Sequence, residues 1–478
     1  MRANAQLSLL AERIFPSSSL SNLISSQLLE DRVRNAVRRV RDSSGREQLS
    51  DEAWHQAGES LSTTLAWLQI FRVSDDRLRG YVDSWVQAQC EMLHRLTADR
   101  AEIERRFGLN AERIASLGLD LSDRHSGGRT VASFTFDSGL KLVYKPRPLG
   151  IEAWFAELQR TLNTLGAPLP FRGLEVVSRD SYGWTEFAVH RHCQDEAQLQ
   201  RFYRKAGALL CLLHVLRATD CHFENLIACG EDPLFVDAET LFQPAITANE
   251  GISVLRTGML PRLAPMLPLA GSPAAADMGA LSCVSVQTIP IPLPALNGSP
   301  ARTEMVLMEP EANLPFPPEQ ERNPQVYVEE MIDEFRQTWL FLAEHKDSVM
   351  EALEGARLQR IRYVFRDTLS YYQAMVAALS LGNLDGVVLP RLPSSKTAFA
   401  ALEAAELSAL REFDIPRFTL CAAESGLHGI GECFARTGFE LVRDAVKNLT
   451  AEAMDAQIAV IRLSWGLYGA AKRVVVQA

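Results

Sequence analysis

The sequence predicts an α+β fold, and three observations predict it. Residues 1–115 carry apolar side chains at three- and four-residue spacings, as amphipathic helices do. Strand-like runs then cluster between 129 and 239, and the helical pattern returns from about Gln325 to the end. At 478 residues, the chain has room for two to four domains of roughly 100–200 residues each. Four segments follow from the pattern: a helical region over 1–118, a mixed core over 119–243, an irregular segment over 244–324 and a helical part over 325–478.

In order along the chain, residues 50–73 and 75–108 read as helices, capped by Ser50 or Asp51 and by Ser74 or Asp75. Residues 129–136 alternate, 137–139 (DSG) make a turn and 140–145 resume a strand, which is a hairpin signal. A helix is expected from about Ile151 to Leu165, then a strand pair over 174–180 and 182–189. Residues 196–219 form a long, largely apolar helix. Two short strands, NLIAC and LFVDAE, flank a turn at 230–233 (GEDP). Residues 244–320 are rich in Pro, Ala, Gly and Ser, as irregular functional loops are. The chain has no repeat of 20–50 residues.

Composition excludes several classes. Apolar residues make up 47% and charged residues 23%, so the chain is neither disordered nor collagen-like. Forty-nine basic against fifty-nine acidic residues give a net charge of -10, which argues against a nucleic-acid binder. The N-terminus lacks a signal-peptide pattern, and the apolar run 206–216 is too short to span a bilayer. The eight cysteines include no C-x-x-C pair. Reduced core cysteines and no zinc are expected, in a cytoplasmic enzyme or scaffold.

The strongest chemical signal is ATDCHFEN followed by FVDAET. Asn225 lies five residues after Asp220, and Asp237 twelve after Asn225. Phosphoryl transfer from ATP needs this kit: one Asp orients or deprotonates the attacking hydroxyl, while an Asn and a second Asp hold magnesium through hard oxygen ligands. The Asp-to-Asn spacing is that of the kinase catalytic loop H-R-D-x-x-x-x-N. Here His222 follows the Asp, and Asp237-Ala-Glu239 stands where kinases have D-F-G. Alone, such a loop is more often a solvated surface turn; its place after a buried helix, with a lysine upstream, lifts it. That lysine is Lys145 in VYKPR, closing the second strand of the first hairpin, as a phosphate-binding lysine does. Glu152 and Glu157 are both candidates to pair with it.

Two further groups complete the set. Asp123 and His125, in DRHSGG, are two apart and point to one side of an extended segment, as an acid and base beside a nucleotide would. Gly127 and Gly128 let backbone amides approach phosphate. In RIRYVFRDT, Arg360, Arg362, Arg366 and Thr368 fall within three helical turns, with Arg362 and Arg366 on one face. Cations beside a hydroxyl suit a phosphate.

Five motifs in this order, DRHSGG, VYKPR, ATDCHFEN, FVDAETLF and RYVFRDT, resemble the dehydratase domain of class II lanthipeptide synthetases, the LanM family. SVLRTGMLP (253–261), DMGALS (277–282) and FDIPRF (413–418) resemble further family segments, so the likeness runs from about 120 to 465. The resemblance implies a two-lobed lipid-kinase-like core with additional helical kinase-activation layers. It implies phosphorylation of Ser and Thr in a precursor peptide with ATP and magnesium, then elimination of the phosphate to dehydroalanine or dehydrobutyrine. Lys145, Asp220, His222, Asn225, Asp237 and Glu239 match the family's phosphorylation set, and Asp123, His125, Arg362 and Thr368 its elimination set.

The sequence also departs from the family. No His/Cys cyclase constellation follows the motifs, so a stand-alone dehydratase is expected, with ring closure left to a separate cyclase protein. The N-terminal region is short, and Ser122 replaces the glycine that commonly precedes D-x-H. The alternatives are a peptide kinase that leaves a stable phosphate and a catalytically silent, leader-binding subunit of a split synthetase.

Overall fold

A computed structural model describes residues 27–44, 49–110, 112–247, 250–261, 263–265, 275–277, 279–282, 287–293, 302–308, 312–390 and 398–477. Cys283, Met278 and the start of the chain, all read above, lie outside them. The chain opens with three helices, α1 (Gln27–Ser43), α2 (Asp51–Ile70) and α3 (Asp75–Phe107). Ser50 caps α2 by accepting the Ala53 N–H at 3.0 Å, as its hydroxyl and position predict. Gly108 ends α3 in the left-handed region at φ 73°, where a residue without Cβ is at home.

A five-stranded antiparallel sheet follows, built from β1 (Ile114–Gly118), β2 (Ala132–Phe136), β3 (Lys141–Lys145), β4 (Val176–Ser178) and β5 (Gly183–Glu186) in the order β1-β2-β3-β5-β4. The expected hairpin is β2–β3, with Ala132 opposite Tyr144. β1 precedes residue 119, so the sheet begins inside the segment read as helical. Helix α4 (Gly150–Thr164) leaves the end of β3, and α5 (Glu196–Val215) is buried along most of its length. Helix α6 (Val328–Glu344) packs directly on α5. A Cβ at Gly207 of α5 would sit 2.1 Å from the Met331 carbonyl oxygen, so this close helix contact requires glycine.

Among the described residues two large hydrophobic cores result, with a small third cluster at Leu174, Cys229 and Leu234. One joins the N-terminal helices to the sheet through Trp85, Phe134, Phe136 and Trp184. The other surrounds α5 and reaches to Trp465 and Tyr468. No disulfide occurs among the described residues. Of the seven described cysteines, only Cys90 and Cys421 are not buried. No helix is long and apolar enough to cross a membrane among the described residues.

The structure corrects four local readings. The 230–233 turn is shorter, because β6 (Leu226–Cys229) pairs with β7 (Asp232–Phe235) and Asp232 is already in the ladder opposite Cys229. Asp237 and Glu239 leave that strand, Glu239 lying in a short 3-10 turn at Ala238–Thr240. Residues 244–324 are not uniformly irregular: β8 (Leu263–Pro265) pairs with β9 (Ala275–Asp277), and β10 (Gln287–Leu293) with β11 (Arg302–Met308). The helical reading of 360–368 fails. After α7 (Lys346–Leu353), Arg360–Tyr363 is a strand, β12, and helix α8 (Thr368–Ser380) starts only after Asp367. The Asp367 carboxylate accepts the Ser370 N–H, fixing the first turn there. β12 pairs with β13 (Phe418–Cys421), which follows α9 (Ala398–Arg411). Two two-residue strands, β14 (Gly426–Leu427) and β15 (Gly431–Glu432), and helices α10 (Gly438–Lys447) and α11 (Ala451–Gln477) complete the chain.

One buried titratable group predicts how stability depends on pH. His214 of α5 lies against Trp339, and burial, with Arg217 beside it, pushes its pKa down to about 4. The unfolded chain binds a proton near pH 6.5 that the folded chain refuses. Stability is therefore full above about pH 6.5 and is lost as pH falls toward 4, by about 3 kcal/mol for this one group. Urea unfolding at pH 7.5 and pH 5 should show a drop that His214→Phe reduces. An equal drop in the variant would remove His214 from the account.

Candidate active site

The site is built around a buried carboxylate. Glu239 is 4% exposed and meets three guanidinium groups: Arg147 Nε at 3.0 Å, Arg362 Nη1 at 3.0 Å and Arg417 Nη2 at 2.7 Å. Burial alone would raise the Glu239 pKa. The charges of Arg147, Arg417 and Arg362 outweigh it and hold the carboxyl well below its usual range. Arg147 also pairs with Asp237 and, at 2.5 Å, with Glu152. Lys145, at the end of β3, donates to the Val236 carbonyl at 2.6 Å and reaches Asp237 Oδ1 at 3.3 Å. So Glu152 faces the cluster, yet its ion-pair partner is Arg147. Glu157 is exposed and pairs with Arg160.

This arrangement makes Glu239 a structural requirement. Glu239→Ala would leave one buried arginine, Arg147, and two partly buried ones, Arg362 and Arg417, short of a counter-charge, and removing one partner of a buried pair costs about 3–5 kcal/mol. Glu239→Ala should therefore lower the urea midpoint strongly. A variant as stable as the parent would show that solvent reaches these guanidinium groups.

The loop that carries Asp220, His222 and Asn225 leaves α5 and is pinned from both sides. Thr219 N–H donates to the Thr240 carbonyl at 3.2 Å, and Cys221 N–H to the Thr257 carbonyl at 2.7 Å. Between them Asp220 adopts φ 60°, a left-handed conformation that Asp tolerates better than most residues. Burial raises its carboxyl pKa, against the pull of His222 and Arg362. His222 Nδ1 accepts the Glu224 N–H at 3.3 Å, so its proton sits on Nε2, 3.4 Å from Asp220 Oδ1. Asn225 donates its amide to the Asp220 carbonyl at 2.7 Å, which orients its own carbonyl oxygen as an acceptor.

The second group of residues sits beside the first. Asp123 accepts the Thr368 hydroxyl at 2.9 Å and the Tyr372 hydroxyl at 3.3 Å. His125 Nδ1 lies 2.6 Å from the Ile415 carbonyl oxygen. A carbonyl only accepts, so Nδ1 carries the proton and Nε2 holds the lone pair. Burial, with the charge of Arg362, pushes the His125 pKa down to about 4, against the pull of Asp123. Arg362 is influenced by Glu239, Asp220 and Asp123 together, so one guanidinium electrostatically links both sets. Its backbone is fixed by Gln243, which donates to the Arg362 carbonyl at 2.8 Å.

Two expectations are corrected here. The Gly127 and Gly128 amides do not face an open phosphate cradle. They donate to the Asp414 carboxylate at 2.5 and 3.1 Å, and Arg124 pairs with the same group. A carboxylate from far along the chain has taken the place foreseen for phosphate. Arg366 does not share a face with Arg362. It makes a fork to Glu406 at 2.8 and 3.2 Å, joined by the Tyr371 hydroxyl.

Sequence reasoning missed Arg147 and Arg417, although both lie inside quoted motifs. Tyr372 carried no signal of its own. The oxygens of Asn225 and Asp237 are of the hard type magnesium takes, and Asp237 Oδ1 is held by Lys145 and Arg147. Lys145 and Arg147 offer the positive charge a polyphosphate needs. A hollow of about 410 Å³ is lined in part by Arg124, Gly127, Asp414 and Arg417, and by none of Lys145, Arg147, Asn225 or Asp237.

Comparison with known proteins bears on the same residues. A family described as "Domain of unknown function (DUF4135)" matches residues 73–421, a stretch that takes in all the motifs above. The chain is also 23% identical, over 437 residues, to the "Lacticin 481/lactococcin biosynthesis protein LcnDR2" of Lactococcus lactis subsp. lactis. That match covers 81% of this chain and 45% of the relative; the chain spans about half the relative's length. The likeness to LanM-type lanthipeptide synthetases read from the motifs is borne out by these matches.

Proposed function

The chain belongs to the DUF4135 family, and from that premise we propose that it acts in lanthipeptide maturation as a peptide dehydratase. In this reading it transfers the γ-phosphoryl group of ATP to a Ser or Thr hydroxyl of a precursor peptide. It then eliminates the phosphate to leave a dehydroamino acid. A two-lobed, lipid-kinase-like arrangement, with the nucleotide between the sheet and α5, is part of the proposal. The observation that carries it is the continuous run of ion pairs Lys145–Asp237–Arg147–Glu239–Arg362, which joins the two residue sets into one site.

In the first step Asp220 accepts the proton of the attacking hydroxyl, helped by a carboxyl that burial makes more basic. Lys145, at the end of β3, would offer its charge to the transferred phosphate. Asn225 and Asp237 would hold magnesium, which supplies charge neutralisation to the phosphates. In the second step the peptide's α C–H gives its proton to a base. The electron pair forms the Cα–Cβ double bond, the Cβ–O bond breaks and phosphate departs. His125 suits the base, since it is neutral at pH 7 with its lone pair on Nε2. Arg362 stabilises the leaving anion, and Thr368 and Tyr372 orient Asp123.

The test is mass spectrometry of a Ser/Thr-containing precursor peptide incubated with the protein, ATP and magnesium. Loss of one water per modified residue is expected. A phosphate that persists would reduce the activity to a kinase, and no change with the relative's own class of precursor would argue for a silent binding subunit.

A further inference from the structure

A second cluster of unlike side chains lies away from the site above, at the far end of β13. Cys421 is the last residue of that strand. A tight turn follows, closed by the Glu424 N–H donating to the Cys421 carbonyl at 2.9 Å. His428 comes just after β14, and its N–H returns to the Thr419 carbonyl at 2.8 Å. These bonds bring a thiol, a carboxylate and an imidazole together, with their ligand atoms all within 4.8 Å of one another. His428 Nε2 is 3.1 Å from Glu424 Oε2 and 4.0 Å from Cys421 Sγ.

The orientation of the imidazole decides what the cluster is suited to. In a nucleophile relay the acid binds one ring nitrogen and the thiol the other. Here Nε2 faces both the sulfur and the carboxylate, while Nδ1 lies 3.1 Å from the Thr419 hydroxyl. Three donor atoms thus face one shared point, and Thr419 fixes the ring from behind, as partners of metal-bound histidines do. A tetrahedral ion with bonds of about 2.0–2.3 Å sets its ligand atoms roughly 3.3–3.8 Å apart, and the 3.1 and 4.0 Å from Nε2 to the carboxylate and the sulfur bracket that range. The side chains of His428 and Glu424 are 37% and 49% exposed, so an ion has a way in.

We propose that Cys421, Glu424 and His428 bind a divalent transition-metal ion, zinc by its donor set, at a site separate from the magnesium ligands. Sulfur with imidazole selects zinc over magnesium or calcium. Three protein ligands leave the fourth position to water. The Cys-x2-Glu-x3-His spacing escapes a search for C-x-x-C pairs, and it departs from the expectation that the chain holds no zinc. The ion would anchor the C-terminal end of β13. Arg417, which reaches Glu239, immediately precedes that strand, and Thr419 within it pairs with Arg362.

The test uses the untagged full chain, stripped with a chelator and titrated with zinc against a chromophoric competitor, then with cobalt(II). One equivalent of zinc is expected, with a thiolate-to-cobalt charge-transfer band. Cys421→Ser should abolish that band, and His428→Ala should weaken zinc binding at least tenfold, with circular dichroism confirming that each variant folds. Should either variant fail to fold, Glu424→Gln, at an exposed position, should weaken binding in the same way. Absence of stoichiometric binding, or a cobalt band unchanged in the variants, would overturn the proposal.

Discussion

Arg362→Ala is expected to trap phosphopeptide. Losing the cation that faces the departing phosphate should slow elimination by about 10²–10³-fold, the cost of removing one preorganised donor to a developing anion. Phosphoryl transfer should fall less than about tenfold, because Glu239 keeps Arg147 and Arg417 as counter-charges. The readout is the ratio of phosphorylated to dehydrated peptide by mass spectrometry, with a thermal melt as the folding control. Equal loss of both steps in a folded variant would sink the division of roles. Arg362→Lys should recover elimination only in part, since an ammonium keeps the charge but loses the planar fork.

The reciprocal result is expected from Asp220→Asn. Without a carboxylate to take the hydroxyl proton, phosphoryl transfer should drop by roughly 10²–10⁴-fold. Elimination from a synthetic phosphoserine peptide should continue, because His125 and Arg362 are untouched. Loss of that second activity would place Asp220 in both steps. The pH profile gives an independent check. Asp220 works as a base only when ionised, and burial raises its pKa. The acid limb of phosphoryl transfer should therefore lie above the ordinary Asp range, whereas His125, neutral down to about pH 4, should not limit elimination between pH 5 and 7.

Local rules made part of this site legible. Ser50 caps its helix because a hydroxyl at that position reaches an orphan N–H. The turn DSG joins two alternating runs, and Lys145 closes the second of them. The Asp220, Asn225 and Asp237 spacing pointed to one loop and one short hairpin: Asn225 donates to the Asp220 carbonyl and its own backbone carbonyl accepts the Val236 N–H, and Lys145 reaches Val236 and Asp237. Helix phase also separates Glu152 from Glu157, although neither makes an ion pair with Lys145. Five residues apart on a helix, the two face different directions; one is buried and the other exposed.

Two of the corrected readings involved partners far along the chain. Arg362 lies in a strand because Thr419, 57 positions later, supplies the ladder opposite it, and the four-residue spacing to Arg366 was a false helical cue. The glycine amides of DRHSGG meet Asp414, separated from them by 287 and 286 positions. Nothing in the local motif announces a carboxylate there.

The sequence by itself determined most element types in the first half of the chain, β1 excepted, the residues that carry charge and chemistry, and the family to which they are similar. Those follow from short-range physics: side-chain periodicity, capping and turn conformation act over a few residues. Only the tertiary structure decided which charges compensate one another. Glu239 draws its three arginines from β3's exit, β12 and the start of β13, because a carboxylate stripped of water must find cations wherever the fold supplies them.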